Sequence, residues 1–385
     1  MSGVTVLVFH ALPGPGAGPR ARLLAEARRR LTIAQRPAWL AAGAAEVRLL
    51  EGPPDDLPFG RRLATAAAEL LRRQEAGAPY GAVVAGSGAL PLARRDDLRR
   101  FVEAAAGSPG TALANNAYSA DVVAVARLRD LAAVPDLPAD NALPRWLAER
   151  AGVRVADLRR RWRLQFDLDS PADLLLLAAA GRCPRPLRPY AAALAEDGHR
   201  LRERAAGIRA VLADPQAELV LAGRTSAATL AGLERAAACR VRAFVEERGL
   251  RAGSPLALAA SPPARGPGGA PRPPRSLLGE LLDRDGPRAI GPLLARLGDG
   301  AVVDSRVLLA HRCGSDEAAW PEAEDRFAAD LLDGAAIRDP WLRDLVASAA
   351  DAPIPILLGG HSLVGPGLRL LIAAGTTGRP TTGPA

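Results

Sequence analysis

The sequence has no lysine: all 50 of its basic residues are arginine, and they outnumber 42 acids to leave a formal charge of +8. A surplus of that kind neutralises phosphates in nucleic-acid binders. Aromatic residues, however, are only 4% of the chain, which leaves few rings for single-stranded bases to stack on. Arginine without lysine, beside abundant Ala, Gly and Pro, is what a GC-rich coding bias produces, so a nucleic-acid partner is disfavoured. Cysteine is also scarce. Cys183, Cys239 and Cys313 lie far apart, which excludes a CxxC metal knuckle and an even disulfide framework and leaves buried or free thiols. The histidines His10, His199, His311 and His361 are equally scattered, with no zinc-ligand spacing. No apolar run approaches the roughly 20 residues that span a bilayer. Val4 to Phe9 is too short for a signal peptide and follows no basic segment, so the expected location is the cytoplasm, away from membranes.

What is present is alternation. A chain of 385 residues, 49% hydrophobic, exceeds one core and is expected to form two domains of roughly 200 residues each. Apolar runs at Val4 to Phe9, Glu46 to Leu50 and Gly81 to Ala85 read as strands. They are separated by amphipathic helical stretches at Arg20 to Gln35 and Arg61 to Gln74, with a further helix at Asp97 to Ala106. This order predicts a three-layer, mostly parallel α/β sheet of Rossmann-like type over residues 1–182. Helices are also expected at Asn141 to Ala151 and from Asp169 onward, where Ser170 and Pro171 form a cap and a first-turn proline. After a proline-rich boundary at Gly181 to Pro189, a second α/β domain is expected over 190–374. Its strands are predicted at Glu218 to Ala222, Arg240 to Val245, Ala301 to Leu309 and Ile354 to Leu358. The proline-rich stretch 261–275 and the tail 375–385 are expected to be disordered.

Several polar segments fall where strands should end. Gly14, Gly16 and Gly18 form a turn after the first strand, followed by Arg20 and Arg22; Val83 to Leu98 reads VVAGSGALPLARRDDL, with Gly86 and Ser87 closing the third strand. Further on come Asp140 and Asn141, then Asp167-Leu168-Asp169-Ser170-Pro171-Ala172-Asp173-Leu174. In this order the motifs resemble the GT-A-type nucleotidyltransferases of the molybdenum-cofactor and phospholactate guanylyltransferase group, over about 175 residues of this chain. The resemblance implies a GT-A fold and transfer of a nucleotidyl group from an NTP to a phosphorylated or acidic small molecule. It further implies that Gly14, Gly16, Gly18, Arg20, Arg22, Gly86 and Ser87 bind the nucleotide, and that the loop with Asp140 and Asn141 lies on the acceptor side. Asp169, with Asp167 nearby, would hold Mg²⁺ and carry catalysis. Two departures stand out. The glycine turn has no lysine and its prolines remove N–H donors; and Gly86-Ser87-Gly88 replaces the metal-binding Asp that the resemblance places at the end of the third strand.

Each segment also has a plainer reading. The glycines can be a simple turn, and Asp169 to Asp173 can be a helix cap whose acids complement the dipole. Asn115 and Asn116, with Tyr118, Ser119 and Asp121, either line a cleft or form an ordered turn. Ser87 is no hydrolase nucleophile, because Ala85 stands where the elbow motif needs glycine; the glycines after the first strand do not fit GxGxxG. In the second half, Arg224 and Ser226, Asp304 and Arg306, and His361 and Ser362 follow strands and offer a place for an anionic ligand. The competing function is a non-catalytic binding protein that keeps the fold and recognises an anionic metabolite through Arg224 and the His361 turn. A homo-oligomer is compatible with either.

Overall fold

The computed structural model describes residues 3–53, 55, 57–73, 81–246 and 274–376. Among these, residues 3–17 and 25–167 form one compact unit, and 18–24, 168–246 and 274–376 form a second. Most of the expected 261–275 loop and of the 375–385 tail lies outside the described residues.

The first unit carries strands β1 (Thr5–Ala11), β2 (Glu46–Gly52), β3 (Ala82–Gly86), β4 (Thr111–Ala114), β5 (Val122–Val125) and β6 (Arg154–Asp157) in the order β2-β1-β3-β5-β4-β6. β1 runs parallel to β2 and β3, and β4 parallel to β6, while β5 is antiparallel to both of its neighbours. Side chains alternate between two cores, as the period of two requires. Leu7, Val84 and Val123 face one core with Leu63, Leu70 and Leu131, while Val6, Val8, Val83 and Ala124 face the other with Trp39 and Phe101. The helices α1 (Pro19–Ala41), α2 (Phe59–Arg73), α3 (Arg95–Ala105), α4 (Leu128–Ala132) and α5 (Leu143–Glu149) supply those layers. The expected three-layer α/β sheet is therefore present. α1 runs on past Gln35 to Ala41 through Pro37. β4, β5 and β6 went unforeseen; in β6 the residues alternate between exposed and half-buried, and Arg154 and Asp157 dilute the apolar signal.

The second unit holds β7 (Glu218–Gly223), β8 (Arg240–Val245), β9 (Gly300–Asp304) and β10 (Ile356–Gly359) as a parallel sheet in the order β10-β9-β7-β8. Its helices are α6 (Pro171–Ala179), α7 (Arg188–Ala193), α8 (His199–Ala213), α9 (Ala227–Ala236), α10 (Leu277–Asp285), α11 (Ile290–Ala295), α12 (Ser305–Cys313), α13 (Ala323–Asp330), α14 (Pro340–Ala350) and α15 (Leu368–Thr376). Two expectations change. The strand expected over Ala301 to Leu309 stops at Asp304, because the Asp304 side chain accepts from the Arg306 amide and caps α12; Asp304 and Arg306 do not alternate along a strand. The domain break falls between Asp167 and Leu168, not at 181–189. The cause is α6, whose Leu174 to Leu177 are buried and which packs on α8 and α15. Among the described residues no helix is long and apolar enough to cross a membrane.

One close approach fixes the segment that leads to Asp140. The Gly60 amide donates to the Leu137 carbonyl at 2.9 Å, and a Cβ at position 60 would run into the Pro135 carbonyl. Gly60→Ala is expected to cost about 1–3 kcal/mol by overpacking, read as a lowered urea midpoint with an unchanged m value.

Candidate functional site

In the first sheet β1 lies between β2 and β3, so the chain leaves β1 to one side and returns on the other. Open α/β sheets bind ligands outside the carboxyl ends of the strands at such a switch. Gly14 and Gly16 follow β1, and Gly86 and Ser87 close β3 at the same end of the sheet. Gly16 has no atom within 4 Å of where a Cβ would stand. His10 Nδ1 lies 2.9 Å from Ser87 Oγ, with both side chains buried. Burial lowers the imidazole pKa, outweighing the opposing charge of Glu51, so His10 is neutral near pH 7. Asp140 reaches the same place from another segment: its Oδ2 lies 3.8 Å from the position of a Gly86 Cβ, and its Oδ1 accepts the Asn141 amide at 2.9 Å.

Asn115 and Asn116 lie in an ordered turn, one of the two readings of this segment. Asn115 Oδ1 accepts from the amides of Asp121 and Val122 at 3.0 and 3.2 Å, its Nδ2 donates to the Leu164 carbonyl, and Asn116 Oδ1 accepts the Tyr118 amide. Asp97, in the Asp-Leu helix of the resemblance, closes the α3 capping box and receives Arg161 and Arg163. Asp167 is buried and forms a bridge with Ala89.

Gly18, Arg20 and Arg22 group with the second unit. Arg20 pairs there with Asp333 at 2.6 Å, Asp197 at 3.1 Å and Glu324 at 3.5 Å. The Glu324 carboxylate also accepts the Arg20 and Ala21 amides. The amino end of α1 thus already holds an anion, one of the protein's own, and the expectation that Arg20 grips outer phosphates does not fit this pairing. Arg22 is exposed.

The second sheet has its switch between β7 and β9. There Arg224 forks onto Asp304, with contacts of 2.5 and 3.0 Å. Burial drives the Asp304 pKa up, but Arg224 and Arg306 outweigh it and hold the group below the usual carboxylate value. Arg306 forks onto Asp330 with both contacts at 2.6 Å, and Asp330 also accepts Ser170 Oγ at 2.7 Å. Asp169 lies 3.5 Å from His361 Nδ1, and both side chains are partly exposed. Asp173 Oδ2 accepts the Asp169 and Ser170 amides as the N3 residue of a capping box; burial and then the Asp169 charge raise its pKa well above the ordinary value. Ser226 caps α9 through the Thr229 amide, and Ser362 is buried in the turn after β10.

Arg224 and Arg306 are already paired with buried carboxylates, so the anionic metabolite expected from Arg224 would have to displace one of them. A cavity of about 10 Å³ lined by Ser170, Asp173, Asp330 and Gly360 has room for about one water molecule. Sequence reasoning missed His10 and Asp330 as members of these sites. His10 was detectable as a polar residue ending an apolar strand; Asp330, inside a helix, gave no local signal.

Comparison with known proteins finds no matching family model, and no similar curated protein or solved structure.

Two measurements check the second-unit network. Arg306→Met, which strands the buried Asp330 charge, is expected to cost about 3–5 kcal/mol, and Arg306→Met with Asp330→Asn to recover much of it, read by urea unfolding. Because the folded pKa of Asp173 is raised, its contribution to stability falls as pH rises from the unfolded value through the folded one. Asp173→Asn should therefore match the parent below about pH 4 and exceed its Tm increasingly as pH rises; equal Tm values at pH 4 and pH 8 would contradict this.

Proposed function

We propose that the chain is a nucleotidyltransferase-like protein whose first unit binds a nucleoside triphosphate, and which passes the nucleotidyl group to a phosphorylated or acidic small molecule. The observation that carries this reading is the first sheet's switch point. There His10 and Ser87 stand beside Gly86 with one oxygen of Asp140 close by, and Gly14 and Gly16 follow β1 at the same end, the edge where such sheets take ligands. The motif order that resembles the GT-A-type nucleotidyltransferases adds the reaction class.

The chemistry asked of this edge is modest. Nucleotidyl transfer needs the α-phosphorus held in line with its acceptor and charge on the phosphates offset. A bare Gly86 and an open Gly16 let phosphate approach the backbone closely. The neutral His10 and Ser87 provide a hydrogen-bonding pair beside it. A divalent cation, Mg²⁺ by the resemblance, would supply charge neutralisation at the phosphates. Asp169, the residue the resemblance gives it, sits beside the His361 imidazole.

A second reading, a binding protein without catalysis, is favoured by one observation: Arg20, the cation next to the glycine turn, is committed to three carboxylates. Calorimetry with ATP, GTP, CTP and UTP, each with and without Mg²⁺, followed by a pyrophosphate assay against phosphorylated and carboxylate acceptors, separates the two. The transferase reading expects one nucleotide to bind, the binding to be blocked by Gly86→Leu, and pyrophosphate to be released with an acceptor. Binding without any pyrophosphate leaves the second reading; no binding of any of the four sinks the first.

A further inference from the structure

We propose that His10 grips the nucleotide at the first unit's switch: its Nε2–H donates to a phosphate oxygen, and Ser87 fixes the imidazole in the tautomer that makes this contact. The inference rests on the nucleotide-binding reading above and deepens it by assigning the contact to one atom.

Two histidines are buried among the described residues, and their rings are satisfied differently. His311 uses both nitrogens, with Nδ1 accepting the Ser276 amide at 2.9 Å and Nε2 lying 3.0 Å from Asp283 Oδ2. His10, only 3% exposed, uses one: Nδ1 lies 2.9 Å from Ser87 Oγ, and Nε2 has no partner among the described residues. Glu51 stands opposite His10 in the β1–β2 register, but Arg29 Nε holds its carboxylate at 2.6 Å. Nor is Nε2 one of the fully enclosed side-chain atoms that lack a partner, so the small exposed part of the ring includes this nitrogen.

The Ser87 hydroxyl decides the tautomer. Ser87 is held through its backbone, its amide donating to the Phe9 carbonyl at 3.0 Å and its own carbonyl accepting Thr32 Oγ1 at 3.3 Å. Its hydroxyl hydrogen has one acceptor among the described residues, His10 Nδ1, so Oγ donates and Nδ1 accepts. A neutral imidazole carries a single ring N–H, which with Nδ1 accepting must be on Nε2. Nε2 is thus a donor fixed in direction, largely out of water and without an acceptor. Leaving such a group unpaired is costly, and an oxygen bound at the edge relieves that cost.

Which oxygen follows from the place. His10 and Ser87 stand at the carboxyl ends of β1 and β3, which are parallel neighbours. Beside them Gly86 has no side chain and Gly16 no atom within 4 Å of its Cβ position, so phosphates can come close to the backbone. An N–H donor serves an oxygen and not a cation, and charged phosphate oxygens accept more strongly than neutral ones.

Imidazole ¹⁵N shifts of the unliganded parent above pH 7 read the tautomer directly, with the His10 signals identified by their loss in His10→Gln. The expected pattern is a protonated Nε2 and a bare Nδ1, and the Nε2–H signal is expected to move when either the nucleotide or inorganic triphosphate is added. Calorimetry then compares three proteins: the parent, His10→Gln, whose amide nitrogen can stand where Nε2 does, and His10→Phe with Ser87→Ala, which removes the donor without stranding the hydroxyl. With the nucleotide that binds the parent, the double variant is expected to lose at least about tenfold in affinity, while His10→Gln keeps most of it. A protonated Nδ1, or a double variant that binds like the parent, overturns the inference. So does a His10→Gln that falls as far as the double variant, which would make His10 a support for the strand end, and so does an Nε2–H signal that the nucleotide moves and inorganic triphosphate does not, which would assign the donor to base or sugar. A parent that binds no nucleotide overturns the reading beneath and takes this inference with it, whereas each of the other failures overturns this inference alone.

Discussion

A parallel strand buried on both faces has little room for a polar side chain, and this constraint decides where chemistry can sit in both units. β1 presents Leu7 to one core and Val6 and Val8 to the other, and β7 has Leu219 to Ala222 buried throughout. Each polar atom placed inside such layers would need a partner or cost several kcal/mol. Polar groups therefore collect where the strands run out: His10 near the end of β1, Gly86 and Ser87 after β3, Asp304 at the end of β9, His361 after β10. The adjoining glycines serve the same constraint. Gly223, at φ 127°, lets Asp304 pack against the backbone of the neighbouring strand end, which a side chain would prevent.

The two edges answer that constraint with different electrostatics. In the first unit a neutral imidazole and a hydroxyl stand beside Gly86, with one oxygen of Asp140 3.8 Å from where its Cβ would be. In the second unit the polar groups are paired acids and bases, with two Arg–Asp forks nearly sealed from water. Burying such pairs adds little net stability, since desolvation offsets attraction, but removing one partner is expensive. The network therefore acts as a register device: Arg306 joins α12 to α13 through Asp330, and Ser170 joins the cap of α6 to the same carboxylate. The half-exposed Asp169 and His361 lie at the rim of that rigid frame.

Local patterns in the sequence revealed much of this, and its blind spots have physical causes. Apolar runs and capping residues located β1, β3, β7, β8 and the start of α6, because burial and helix termini impose residue types within a few positions. The Ser170 cap and its partner Asp173 were legible for that reason. The end of β9 was not, since Asp304 is both strand end and helix cap and the apolar run continues through it into α12. The unit boundary was hidden by the prolines at 184–189, a stronger local mark than the leucines of α6 whose packing actually decides membership. Pairings over long separations, Arg20 with Asp333 or Ser170 with Asp330, leave no trace in composition or periodicity. The same holds for the approach of Asp140 to Gly86, 54 residues earlier in the chain.

The absence of lysine takes on a structural meaning through these pairs. Read as bulk charge, 50 arginines suggest a surface made for polyanions. In the structure the arginines central to each network point inward: Arg224 and Arg306 grip carboxylates with two nitrogens each, Arg161 and Arg163 share Asp97, and Arg20 spans three acids. A planar five-donor fork can satisfy a buried carboxylate in two directions at once, which a single ammonium cannot. Whatever mutational bias filled the chain with arginine, the fold has come to depend on that geometry. Net charge is thus a poor guide to its partner, and the ligand question belongs to the few strand ends where the pairing leaves an edge open.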